Sequence, residues 1–248
     1  MAGTAGGGIA YLQYLGTPAA WHKITAPVPA AAKLPAAKPS PARIAIVVSD
    51  FGDDQALSLL EARTLPPQIS IAISPYGSHL QGAVAALRAK GHDLLLLLPM
   101  PGLIATAPTA QNLATLDWSL SQLQGYSGVT DAYGPAMGGG FMDNQSAKAW
   151  LLSSLARNNL YFIDGRNADM VMDGAAPDDP VPQLAQLVTD AEEQHTALGV
   201  LVDPAPATVT ALAAWSKALA RQNVVLVPAS ALVQPPENSP ATQASISP

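Results

Sequence analysis

Residues 44–64 read IAIVVSDFGDDQALSLLEART, a β-branched apolar run closed by Ser49 and Asp50, then a stretch with Ala56, Leu59, Leu60 and Arg63 at helical spacing. β-Branched residues favour a pleated strand, and apolar residues three and four apart favour an amphipathic helix, so this is one βα unit. The unit recurs along the chain. Further apolar runs lie at 68–74, 93–100, 128–133, 160–166, 198–204 and 224–230, and helical patterns at 78–90, 112–124, 144–158, 181–195 and 207–222 separate most of them. This alternation predicts an α/β fold of parallel strands covered by helices and closed into a barrel.

Chemistry in such folds gathers at the carboxyl ends of the strands. The residues expected there are Ser49-Asp50, Ser74-Pro75-Tyr76, Pro99-Met100, Tyr133 to Gly138, Asp164-Gly165-Arg166, Asp203-Pro204 and Ser230. None of these ends carries histidine or cysteine. His22 lies in the amino-terminal tail, and His92 and His195 precede strands and belong to the opposite rim. His79, in the first turn of the second helix, is the histidine expected on the functional side. Asp53, Asp54, Asp143 and Asn144 read as helix caps, since short polar side chains at helix starts accept orphan backbone N–H groups. Trp118, Trp150 and Trp215 fall within helices and read as packing residues, not as a sugar platform.

The chain has 248 residues, of which 49% are hydrophobic and 12% charged, enough for one substantial core. A net charge of -6 provides no basic stripe for a phosphate backbone, which argues against nucleic acid as a partner. The absence of cysteine excludes disulfides, iron–sulfur clusters and thiolate zinc sites.

Residues 1–42 are expected to stand apart from the domain. The apolar segment at 9–15 is shorter than the roughly 20 residues of a membrane span, and reads as an anchor remnant or as a disordered tail. The proline- and alanine-rich stretch at 26–42 reads as a semi-extended spacer. The domain is expected at 43–233, followed by a disordered tail at 234–248.

Several blocks together carry a family resemblance: IAIVVSDFG at 44–52, ISPYGSHLQ at 73–81, GHDLLLLLPM at 91–100, YFIDGR at 161–166, VDPAPATVTAL at 202–212 and VLVPASAL at 225–232. In order and spacing they resemble the divergent polysaccharide deacetylase family, of the NodB-like carbohydrate esterase kind. The resemblance implies a distorted (β/α)7-type barrel. It also implies a divalent metal held by an aspartate and histidines, whose bound water attacks an acetyl carbonyl while a carboxylate takes the proton.

The chain departs from that pattern at four positions. Ser49 stands where the first of two adjacent aspartates, the base, is expected, while Asp50 keeps the second. Leu97 and Ala136 replace histidines ahead of Leu98-Pro99-Met100 and Met137-Gly138, and Asp203 stands where a histidine precedes Pro204. Asp164 and Arg166 keep the family's Asp-Ser-Arg pattern around Gly165, and form a charge-assisted pair that either braces the fold or contacts a ligand. With those replacements the sequence reads as a catalytically silent member, with no resident cofactor, whose groove binds glycan or an envelope protein. Asp50, Asp164, Arg166 and His79 are the candidate binding residues. The expected location is the periplasm or the membrane-anchored envelope. Two alternatives stay open: an active deacetylase in which Asp50, Asp203 and His79 hold magnesium, calcium or manganese, and a structural or assembly protein using an outer helix face.

Overall fold

A computed structural model describes residues 40–77, 81–99, 103, 108–131, 140–173 and 180–233. The tail and spacer to Pro39, His79, the 132–139 block with Ala136, and the tail at 234–248 lie outside the described residues. The strands are β1 (Ala42–Phe51), β2 (Ser70–Ile73), β3 (Leu94–Leu97), β4 (Gly128–Thr130), β5 (Tyr161–Ile163), β6 (Met170–Asp173), β7 (Thr196–Val202) and β8 (Val224–Leu226). The helices are α1 (Gln55–Thr64), α2 (Gln81–Lys90), α3 (Ala110–Ser121), α4 (Gln145–Arg157), α5 (Val181–Gln194), α6 (Pro206–Ala218) and α7 (Ser230–Val233). None of the described helices is long and apolar enough to cross a membrane.

All the strand pairs are parallel, in the order β5-β4-β3-β2-β1-β7-β6, and β8 pairs with the start of β1. β5 and β6 stand at opposite ends of that order, yet only residues 164–169 join them. Seven strands laid flat would put those edges about 29 Å apart at about 4.8 Å per neighbour, beyond the roughly 24 Å that the linker can span. The sheet therefore curls. Among the described residues no ladder joins β5 to β6, so the predicted barrel is a curled sheet left open at that seam. β6 is the strand that the sequence pattern did not reveal.

Strand parity explains the core. Ala45 and Val47 of β1, Ala72 of β2, Leu95 and Leu97 of β3, Ile163 of β5, and Leu198 and Val200 of β7 point into the concave interior. Ile44, Ile46, Val48, Ile71 and Leu201 point outward and are covered by Val84 and Leu87 of α2, Leu184 and Leu187 of α5, and Val209 and Leu212 of α6. A second outer cluster joins Leu96 and Val129 to Leu116 of α3 and Leu151 and Leu155 of α4. A Cβ at Gly128 would meet ring carbons of Tyr161 at 2.5–2.8 Å, so this strand passes the ring only as glycine.

Three readings of the helices change. α1 buries Ser58, Glu61 and Ala62, whereas Ala56, Leu59 and Arg63 of the predicted stripe are exposed. The cause is local: the Ser58 hydroxyl accepts the Gly52 N–H at 2.9 Å and donates to the Asp54 carbonyl at 2.7 Å, which turns that face inward. Trp150 and Trp215 pack against the core as expected, but Trp118 is exposed. Ser230 does not lie at the carboxyl rim. It starts α7, and its N–H donates at 3.1 Å to Asp93, which precedes β3 at the opposite end.

Candidate functional site at the strand ends

The carboxyl rim carries two clusters. The first forms where β1 and β7 end side by side, since the register pairs Ser49 with Val202 and leaves Asp50 beside Asp203. The pairing of β1 with β2 shifts between Val48 and Phe51, a bulge that re-aims the side chains at 49–50. Asp50 and Asp203 both adopt left-handed backbone, with φ of 64° and 44°, conformations that cost a non-glycine residue energy and that gather at functional positions. Together with Asp53 and Asp54 they line a pocket of about 1060 Å³, walled by Leu57 and Leu60 of α1 and by Pro204 to Pro206. Asp54 is the cap of α1, its Oδ1 accepting the Leu57 N–H at 2.9 Å. Asp53, read as a second cap, faces the pocket instead.

Behind this acidic wall lies Glu61, 1% exposed, with Oε2 unpartnered among the described residues. Burial, and then the charges of Asp203, Asp50 and Asp54, push its carboxyl up to about 8. It is therefore neutral at pH 7. Sequence reasoning missed it because it assigned the other face of α1 to the core.

The second cluster lies at the ends of β4 and β5. Arg166 donates from Nε to Asp164 Oδ1 at 3.1 Å and from Nη2 to Asp164 Oδ2 at 3.3 Å. It also reaches Asp143 Oδ1 from Nη1 at 2.6 Å and the Met142 carbonyl from Nη2 at 3.4 Å. Lys148 of α4 donates to Asp164 Oδ2 at 3.0 Å. Burial opposes ionisation of Asp164, but the hydrogen bonds and charges of Arg166 and Lys148 outweigh it and hold the carboxyl below its usual range. Asp143 thus binds Arg166, and the cap of α4 is Asn144 alone, whose Oδ1 accepts the Ala147 N–H at 3.0 Å.

Asp131 was absent from the predicted inventory because the fourth run was read through to Tyr133, whereas β4 ends at Thr130. It is fully buried. Its Oδ1 accepts the Gly165 N–H at 2.6 Å, and its Oδ2 lies 3.9 Å from Arg166 Nε. Burial, with Asp164 adding to it, raises this carboxyl to about 6 against the opposing pull of the Gly165 N–H and Arg166. An acid closing a β-rich run was the signal that marks it, as it marks Asp50, Asp164 and Asp203.

Arg166 ties three carboxylates together. Arg166→Met is expected to destabilise the fold by about 2–4 kcal/mol at pH 7, because it strands buried charge. Asp164 has a depressed carboxyl, so its share is present at neutral pH and is lost as pH falls below the ordinary carboxylate range. Urea unfolding at pH 7 and pH 3 should show the gap narrowing in acid.

Among the described residues, the positions that the resemblance assigns to metal chemistry do not assemble a matching donor set. Leu97 is fully buried in the barrel interior. Ser49, 1% exposed, donates its hydroxyl to Asp50 Oδ2 at 3.3 Å. Among the described residues no three histidine, aspartate or glutamate side chains are placed to hold a metal ion. A site of three or four nitrogen and oxygen donors at about 2.0–2.2 Å does not fit what these residues offer.

A family model described as divergent polysaccharide deacetylase matches residues 46–182. The uncharacterized protein YibQ of Escherichia coli is 28% identical over 134 residues, which cover 49% of this chain and 40% of that protein's length. Among solved structures, an uncharacterized protein of Agrobacterium tumefaciens superposes with a TM-score of 0.64 at 24% identity, covering 80% of this chain and 92% of the other. The peptidoglycan deacetylase PdaC of Bacillus subtilis aligns with a TM-score of 0.49 at 14% identity, over 79% of this chain and 92% of that one.

Proposed function

This chain belongs to the divergent polysaccharide deacetylase family, and from that premise we propose that it binds glycan at the carboxyl rim in the cell envelope without performing metal-dependent deacetylation. The observation that carries this reading is Leu97. A leucine that is fully buried in the barrel interior, where the family pattern expects a histidine, fills space and supplies no donor. Ser49 supports the same reading, since a buried hydroxyl stands where the family pattern expects the carboxylate that takes the proton from the attacking water. The rim meanwhile retains a large acidic pocket and a braced polar network. Fold alone does not transmit activity; the residues at the site do.

The test pairs two readouts on the purified chain. Co-sedimentation with insoluble peptidoglycan and chitin should retain the protein. Incubation with acetylated oligosaccharides and added zinc, manganese or magnesium should release no acetate above a boiled control. Metal-stimulated acetate release that Asp50→Ala abolishes would overturn the silent reading, and failure to sediment with either polymer would overturn the glycan reading.

A further inference from the structure

Two exposed aromatic rings pack against each other, and neither lines the acidic pocket. Tyr76, 64% exposed, follows β2, and Trp118, 40% exposed, lies on α3, with centroids 5.1 Å apart and planes inclined at 37°. The turn after β2 fixes Tyr76: its N–H donates to Ser74 Oγ at 3.4 Å, and the Gly77 N–H donates to the Ser74 carbonyl at 3.3 Å. One turn beyond Trp118, the Gln122 amide donates to the Trp118 carbonyl at 3.0 Å. Folding has left this apolar ring area in water, where covering it would be favourable.

Beside the pair runs a groove of about 870 Å³ between α2 and the segment after α3, with a polar lining of Ser74, Gln81, Arg88, Gln122 and Gln124. Among the described residues no carboxylate lines it and none pairs with Arg88. Amides, a hydroxyl and one guanidinium supply donors and acceptors for neutral polar groups, and ring faces suit the C–H face of a pyranose. The lining is too polar for a helix-in-groove contact, which takes an apolar stripe. The geometry points to a subsite for a neutral glycan chain, with Tyr76 and Trp118 as its stacking platform and the α2–α3 groove as its hydroxyl-binding wall. This assignment rests on the glycan-binding reading and gives it a location distinct from the acidic pocket.

Titration with chitotetraose, a neutral tetramer of N-acetylglucosamine, followed by calorimetry and tryptophan emission, tests it. The wild type should bind with a change in emission. Tyr76→Ala and Trp118→Ala should each weaken binding about tenfold or more, and Trp118→Phe should stay within about threefold, as expected for loss or retention of ring burial. Melting temperatures of these surface variants should match the wild type. Unchanged affinity in both alanine variants, with loss in Asp203→Ala, would overturn this subsite and leave the glycan reading intact. If the ring variants alter only self-association in sedimentation, the pair is a protein contact and the subsite is wrong. Absence of wild-type binding to chitotetraose and to peptidoglycan would overturn both.

Discussion

Glu61→Gln is expected to stabilise the protein at alkaline pH and to flatten its stability between pH 6.5 and 8. In the folded chain Glu61 keeps its proton up to about pH 8, because burial and then the negative charges of Asp203, Asp50 and Asp54 oppose ionisation. In the unfolded chain it ionises near 4.5. The folded state therefore binds the extra proton across that interval, and stability is full below 4.5 and declines as pH rises toward 8. The total is on the order of 3–5 kcal/mol. Asp131, raised to about 6, acts in the same direction but finishes lower in the range. His92 works the opposite way. Burial depresses its pKa, so it costs stability as pH falls below 6.5. Across the window from 6.5 to 8 Glu61 makes the largest of these changes, and the difference between variant and wild type isolates it. Urea unfolding of wild type and variant at pH 6.5, 7.25 and 8 should give a falling series for the former and a flat one for the latter. Parallel slopes would show that Glu61 titrates as an ordinary carboxylate.

The second large effect concerns the end of the barrel opposite the rim. Asp93 Oδ2 accepts the Tyr161 hydroxyl at 2.7 Å, the Ser230 N–H at 3.1 Å and the Ser70 hydroxyl at 3.2 Å, while Oδ1 accepts the Ser127 hydroxyl at 2.5 Å. One carboxylate thereby joins residues at the starts of β2, β3, β4 and β5 to the first turn of α7. Ser70 extends the hub by accepting the Ala229 N–H at 2.8 Å. Tyr161 keeps its proton to high pH, raised by burial and by the charge of Asp93, so it remains a donor to that charge. Hydrogen bonds to ionised groups contribute about 1.5–3 kcal/mol each and are not additive, so Asp93→Ala should cost about 3–5 kcal/mol. Chemical denaturation measures the loss, and hydrogen exchange should show α7 releasing first. A loss under 1 kcal/mol would mean that water replaces the hub without penalty.

The readable parts of this chain are those in which one residue type recurs with a fixed period. β1, β3 and β7 carry long β-branched or leucine runs that no exposed segment would retain, and their parallel ladders follow from burial on both faces. β6 was hidden because Met170 to Asp173 is short and follows β5 through a 3-10 turn instead of a helix. Only the curl of the whole sheet brings it against β7. Asp50, Asp164, Arg166 and Asp203 were legible as strand-end residues. Glu61 was not, because its face of α1 is set by the bonds of Ser58 to Gly52 and Asp54, which no periodicity encodes. Trp118 misled for a related reason: an aromatic residue inside a helical pattern resembles core until the opposite wall is known, and here that wall is Tyr76.

The proposed function requires that the rim has exchanged metal chemistry for binding. Calorimetric titration of the full chain with zinc, manganese and magnesium tests this directly. No saturable uptake is expected at micromolar protein, with the same heats for Asp50→Ala as for the wild type. One ion bound per chain, lost in Asp50→Ala or Asp203→Ala, would contradict it.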